Sequence, residues 1–245
     1  MRRDMRILLG TVALGGVATW GPLVPQAISS MQTFQVSDVE VRGLRFLTED
    51  SIIAQLELVP ASSVWGDKGV WTERLLAHRL VRRAEVRRRI PNGLLVTIEE
   101  RRPIALAATP TLEPLDVEGF RLPIDPARYR LDLPIITGSR MPPTGSALFG
   151  EDVRLLAGQV EHLMTSDLDF VQRVSTLRRD PRGSLVARLT GPDVDFLLPL
   201  GVSPALLREG QAALNDALSR NPAEAPQAID LRFADQVVVR RGRDR

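Results

Sequence analysis

No charged residue interrupts the chain between Ile7 and Val24 (ILLGTVALGGVATWGPLV), and the uncharged stretch continues to Ser37. Helical residues in such a run, at about 1.5 Å rise each, reach about 27 Å, enough to cross a hydrocarbon core. Trp20 falls near the far end, where an amphipathic ring suits the membrane interface, and Pro22 and Pro25 end the helix. The pattern predicts a cytoplasmic tail over residues 1–6 and a transmembrane anchor over 7–25. Its candidate anchor residues are Ile7, Leu8, Leu9, Val12, Leu14, Val17 and Trp20. Arginines before the span and none directly after it set the amino terminus inside and everything beyond Gln26 outside. No amphipathic period is visible, which argues against a buried soluble helix. A cleaved secretory signal is the competing reading, although Ala27-Ile28-Ser29 is a poor small-residue cleavage site.

From Phe34 to Val41 apolar and polar residues alternate, the period of a half-buried strand, and Gly43 ends it. Thr48 followed by Glu49, Asp50 and Ser51 predicts a helix start, with Ile52, Ile53, Leu56 and Val59 as the apolar stripe. A loop of small residues (Ala61–Gly69) leads to a second helix near Trp71, its buried face drawn from Leu75, Leu76, Leu80 and Val81. Ala84–Ile90 and Leu94–Glu100 alternate on either side of Pro91-Asn92-Gly93, a hairpin signal. The order is β-α-α-β-β over about seventy residues.

Beyond Pro103 the chain is proline-punctuated and strand-like to Asp132, with Glu118-Gly119 as a turn. Val153, Leu156, Val160, Leu163 and Met164 recur at helical spacing within Glu151–Met164. Val171–Leu177, Leu185–Leu189 and Val194–Leu198 read as strands, the last two joined through Gly191-Pro192-Asp193. Pro204 opens an amphipathic helix with Leu206, Leu207, Ala213, Leu214 and Leu218 on one side, and Asn221-Pro222 stops it. A final strand begins at Ala228. Strands outnumber helices, so this half is an α+β unit with a large open sheet.

Composition narrows the chemistry. The 245 residues include no cysteine, which removes disulfides, thiolate catalysis and cysteine-held metals together. Two histidines, His78 and His162, cannot make a histidine-rich metal site. Aromatics at 4% are too sparse for base-stacking platforms. Glu99 and Glu100 are adjacent on a strand and point to opposite faces, so they cannot share a substrate. Asp193 and Asp195 flank a turn, where acids are common. There is no G-x-S-x-G, phosphate-binding glycine loop or H-E-x-x-H. The reading is a non-enzyme with no cofactor, no metal and no small-molecule substrate. Arg79, Arg82, Arg83, Arg87, Arg88, Arg89, Arg101 and Arg102 form a basic cluster, partly neutralised by Glu85, Glu99 and Glu100. On an exported chain this is a solvated face or a weak steering surface, not a nucleic-acid site.

Val237-Val-Val239 is a β-branched triplet close to the carboxy terminus, a strand placed at or near a sheet edge with unpaired backbone groups. Such an edge accepts a strand from another protein by main-chain hydrogen bonds. Arg240, Arg241 and Arg243 favour an acidic partner and discourage self-pairing. The other reading of the same residues is an ordinary core strand with Phe233 and the valines buried.

The runs FQVSDVEVRGLRFLTEDSI and RRAEVRRRIPNGLLVTIEERRPIA resemble a POTRA domain set directly after a membrane anchor. Leu115–Leu122 (LDVEGFRL), Leu133–Gly138 (LPIITG) and Ile229–Phe233 (IDLRF) followed by Val237–Arg240 resemble, in order, the elements of the bacterial division family FtsQ, also called DivIB. The resemblance covers about residues 34–240. It implies POTRA over 34–102, then a β-rich domain with flanking helices over 103–245, all periplasmic behind a single-pass type II inner-membrane anchor, gathered at midcell during division. It also implies a terminal segment that recruits the membrane coiled-coil protein FtsB and, through it, FtsL. On matching positions Arg232 and Phe233 are the anchors and Phe233–Arg240 the pairing strand, including Ala234, Val237, Val238, Val239 and Arg240. POTRA domains also occur in export and outer-membrane assembly factors. That class needs a long carboxy-terminal run of alternating strands for its barrel, which this chain does not supply.

Overall fold

The computed structural model describes residues 32–138, 146–221, 225–233 and 235–241. The anchor residues Ile7, Leu8, Leu9, Val12, Leu14, Val17 and Trp20 lie outside them, as does Ala234. Among the described residues no helix is long and apolar enough to cross a membrane. The chain divides between Glu100 and Arg101 into two compact units.

The first unit holds β1 (Asp38–Arg42), α1 (Glu49–Leu56), α2 (Lys68–Leu76), β2 (Val81–Arg89) and β3 (Gly93–Glu100). The sheet order is β1-β3-β2, with β1 parallel and β2 antiparallel to the central strand. Leu94, Val96 and Ile98 of β3 bury one face against Ile52, Leu56, Trp71 and Leu75 of the helices. Gly43 follows β1 with φ +88°, and a Cβ there would meet the Ile98 carbonyl oxygen at 2.0 Å, so only glycine fits beside the central strand.

Local signals explain most of these boundaries. Thr48 caps α1 by accepting from the Ser51 N–H at 3.3 Å. The helix stops at Leu56 because Glu57 turns left-handed at φ 52°. Val59 therefore falls outside the helix and is exposed, against the expectation that it completes the stripe. The second helix starts earlier than expected, at Lys68, because Asp67 accepts from the Gly69 N–H at 2.7 Å. That phase buries Trp71 and Leu75 and turns Leu76 outward. The first strand also begins later than the alternation suggests. Phe34 closes a 3₁₀ turn, and Gln35 makes an isolated bridge to Ser63 before β1 starts.

The second unit contains β4 (Ala105–Ala108), β5 (Leu112–Leu115), β6 (Ile135–Ile136), α3 (Glu151–Ser166), α4 (Leu168–Gln172), β7 (Val174–Arg179), β8 (Leu185–Leu189), β9 (Asp195–Leu198), α5 (Pro204–Arg220), β10 (Ala228–Phe233) and β11 (Gln236–Arg240). Among the described residues eight strands form one open sheet in the order β11-β10-β9-β8-β7-β6-β4-β5. Alternate residues of these strands, including Leu177, Ala187, Phe196 and Ile229, face the helices α3, α4 and α5 and make the core. Phe170 packs edge-on against Phe196 at 5.2 Å between ring centres.

Val171 belongs with Phe170 to α4, correcting the start of the expected Val171–Leu177 strand. Asp167 accepts from the Phe170 N–H at 2.9 Å and starts a short helix before β7 begins at Val174. Within α5, a Cβ on Gly210 would lie 2.6 Å from Leu231 Cδ1, so the missing side chain is what lets this helix sit close on β10.

Candidate partner-binding edge

Among the described residues four strands end a sheet: β1 and β2 in the first unit, β5 and β11 in the second. Three of them carry features that discourage pairing. β1 alternates Asp38, Glu40 and Arg42 with its valines, β2 carries Arg82, Arg83, Arg87, Arg88 and Arg89, and β5 contains Pro114. β11 has neither proline nor an internal charge, and three consecutive β-branched residues fill its centre.

The geometry of this edge begins in β10, which runs parallel to β9 and returns as β11 in antiparallel register. Ala228 lies opposite Arg240, Ile229 opposite Val239 and Asp230 opposite Val238, and the register shifts by one before Phe233 opposite Gln236. The shift is a bulge on the β10 side, which adds twist at the hairpin end. The expected single strand from Phe233 to Arg240 is thus corrected: Phe233 closes β10, Asp235 lies in a turn, and the outer strand starts at Gln236.

Val237 and Val239 face the helices and pack partly buried against the core. Val238 takes the opposite face by alternation and is half-buried. A groove of about 430 Å³ is lined by Val239 and Arg241 together with Ala213, Asp216, Ala217 and Arg220 of α5. The small side chains leave the helical layer thin just where the sheet ends.

The opposite face is organised by Asp230, whose side chain is fully buried. Arg232 donates to it through Nε at 2.8 Å, Nη2 at 2.7 Å and its backbone N–H at 3.2 Å. Arg240 donates through Nη2 at 2.5 Å. Arg232 also reaches Asp180 at 3.4 Å, in the turn between β7 and β8. Burial pushes the Asp230 carboxyl up. The hydrogen bonds from Arg232 and Arg240 outweigh it and hold the group below the ordinary carboxylate value.

The resemblance implies a partner-facing role for Arg232 and Arg240, and in the structure both guanidinium groups bond to Asp230 within the chain. Arg232 is mostly buried, while half of the Arg240 side chain remains exposed. Phe233 is 42% exposed, a large apolar ring at the end of the hairpin. The sequence pattern assigns no role to Asp230 or Asp180 and places Ala213 only on the apolar side of its helix. A signal for Asp230 was present: in AIDLRF the acid and Arg232 are two apart, on one strand face.

The groups weighed for chemistry have structural partners. Glu99 pairs with Arg82 at 3.3 Å, whereas Glu100 accepts from the backbone N–H groups of Arg45, Phe46 and Leu47. Asp193 and Asp195 both hold Arg188. His162 Nε2 lies 2.8 Å from the Val202 carbonyl oxygen. Among the described residues no three His, Cys, Asp or Glu side chains are placed to hold a metal.

Comparison with known proteins adds to this geometry. Residues 34–101 match the family model described as "POTRA domain, FtsQ-type". The "Cell division protein FtsQ" of Rhodothermus marinus is 28% identical over 263 residues, covering 98% of this chain and 87% of that protein. Its namesake from Geotalea daltonii is 25% identical over 256 residues, with 98% and 88% covered. A third, from Myxococcus fulvus, matches at 26% over 137 residues, which is 56% of this chain and only 48% of that relative.

Proposed function

We propose that this chain, which belongs to the FtsQ family of cell-division proteins, is a non-catalytic bitopic scaffold of the inner membrane that recruits other division proteins by strand addition at β11. The observation that carries this reading is the position of β11 at the end of the second unit's sheet, with β10 on one side and, among the described residues, no strand on the other. A partner strand laid there continues the sheet through backbone hydrogen bonds. Its alternate side chains meet the groove beside Val239 on one face and Val238 on the other. Phe233 supplies an exposed apolar anchor at the hairpin end.

The expected partners are the periplasmic segments of FtsB-like and FtsL-like membrane proteins. Arg241, just past the end of the edge, favours an acidic stretch in whichever segment pairs, whereas the Arg240 charge is already met by Asp230. The apolar run at residues 7–25 serves as the anchor and keeps both units outside the inner membrane.

The test is hydrogen exchange on the full chain in detergent, with and without an FtsB–FtsL complex. Slowed exchange at Val237–Val239 is expected. Unchanged exchange in this strand, with binding still measured, would place the interface elsewhere. In dividing cells a fluorescent fusion should concentrate in a midcell band, and a uniform membrane signal would contradict the division role.

A further inference from the structure

The first unit carries a second surface, at the point where the chain enters it. Phe34 is followed at once by the bridge Gln35–Ser63, and its ring packs edge-on against Trp65 at 6.2 Å. Trp65 is 46% exposed, and the Arg88 guanidinium lies over its ring at 5.5 Å. Arg88 is held in place by donating to the carbonyls of Val64 at 2.6 Å and Gly66 at 3.0 Å. Two residues on, the β2–β3 hairpin tip presents Ile90 at 57% exposure, and Asn92 ties this tip back to Ser37 at 2.7 Å. Val59, 64% exposed, begins the turn whose Ser62 carbonyl accepts from the Val36 N–H. Three exposed apolar side chains, Val59, Trp65 and Ile90, therefore lie on or beside segments tied to residues 34–37, with half-buried Phe34 and the stacked Arg88 next to Trp65.

Exposed apolar residues scattered singly need no explanation, but these are gathered about one segment of backbone. The tether to the proposed anchor says what covers them. Pro25 to Gln32 reaches at most about 27 Å when fully extended, so this spot cannot stand far from the bilayer. An aromatic ring with an adjacent guanidinium suits the headgroup layer, apolar body inward and charge beside the phosphates. Arg89 is already neutralised by Glu40 and Asp38, so attraction comes from the apolar side chains more than from net charge. We infer that the surface formed by Phe34, Val59, Trp65 and Ile90 with Arg88 rests in the outer headgroup region of the membrane that the chain spans, and so fixes the orientation of the first unit on the bilayer. This rests on the anchor reading given above.

The absence of cysteine allows single labelling sites without background. Full-length chain carrying Ile90→Cys or, as control, Asp50→Cys would be reconstituted into phosphatidylethanolamine–phosphatidylglycerol liposomes and labelled with a nitroxide. Asp50 lies in the first turn of α1, just beyond the Arg45–Leu47 stretch that Glu100 holds at the far end of β3, roughly 25 Å from the hairpin tip. Flotation of the liposomes reports the anchor, and collisional access to oxygen and to a water-soluble nickel chelate reports depth. The expected result is co-flotation, with the label at position 90 several-fold less accessible to nickel than the label at position 50. Co-flotation with equal accessibility at the two positions, high or low, overturns this surface and leaves the anchor standing. Chain that fails to float overturns both.

Discussion

Asp230 is the one fully buried carboxylate beside the candidate edge, and three donor groups of Arg232 and one of Arg240 converge on it. Removing its charge leaves two guanidinium groups facing a neutral amide with one acceptor oxygen in place of a carboxylate, and among the described residues only Arg232 keeps a second acid, Asp180. Asp230→Asn should destabilise the second unit by about 3 kcal/mol at neutral pH, read from the urea midpoint. The sign of the pH dependence follows from the lowered carboxyl. Its contribution is fully present above the unfolded value of about 4 and is lost as the pH falls through the folded value below it. The substituted chain should accordingly lose stability less steeply on acidification, and an identical acid limb in both chains would refute the assignment. Phe233 makes a different prediction, because its exposed ring contributes little to the fold. Phe233→Ala should weaken partner binding by about 2 kcal/mol while leaving the melting temperature nearly unchanged. An unaltered dissociation constant removes it from the interface.

At the scale of the element, β11 has two kinds of backbone N–H. Those directed at β10 hold the hairpin, and those directed outward are available to a partner, alternating along the strand. Proline removes whichever donor it replaces. Substituting Val237, Val238 and Val239 by proline one at a time should therefore separate by parity: one parity lowers stability, and the other abolishes capture at nearly unchanged stability. Loss of stability at all three positions would mean that both sides of the strand are already used. Packing of α5 on β10 depends on Gly210 in the same local way. Gly210→Ala must displace Leu231 or lift the helix, an overpacking cost of about 1–3 kcal/mol in thermal or urea unfolding.

At the scale of the whole molecule, each unit encloses its own cluster of buried side chains. Leu94 centres one core, whereas Phe170 and Phe196 centre the other. Leu94→Ala should cost the first unit about 3 kcal/mol. Hydrogen exchange should then accelerate in residues 34–100 alone, and binding at β11 should persist. Accelerated exchange in both units would show that the two cores unfold as one.

Alternation and helical spacing, caps and turns are properties of a few neighbouring residues. They made β3, α3, β8 and α5 legible from the chain alone, along with the hairpin at Pro91–Gly93 and the absence of thiol chemistry. Where a short-range signal was read too simply, the element moved. The Asp167 cap took Phe170 and Val171 into a helix, and the left-handed Glu57 cut α1 short of Val59. The triplet Val237–Val239 reads as a strand, but whether it lies inside a sheet or at its rim depends on partners distant in sequence. Only the folded arrangement sets β11 last beside β10, closes Arg232 and Arg240 onto Asp230, and leaves the Phe233 ring exposed. Local preference chooses the conformation of a segment, while long-range packing chooses its neighbours, and an interface is made of whatever those neighbours leave uncovered.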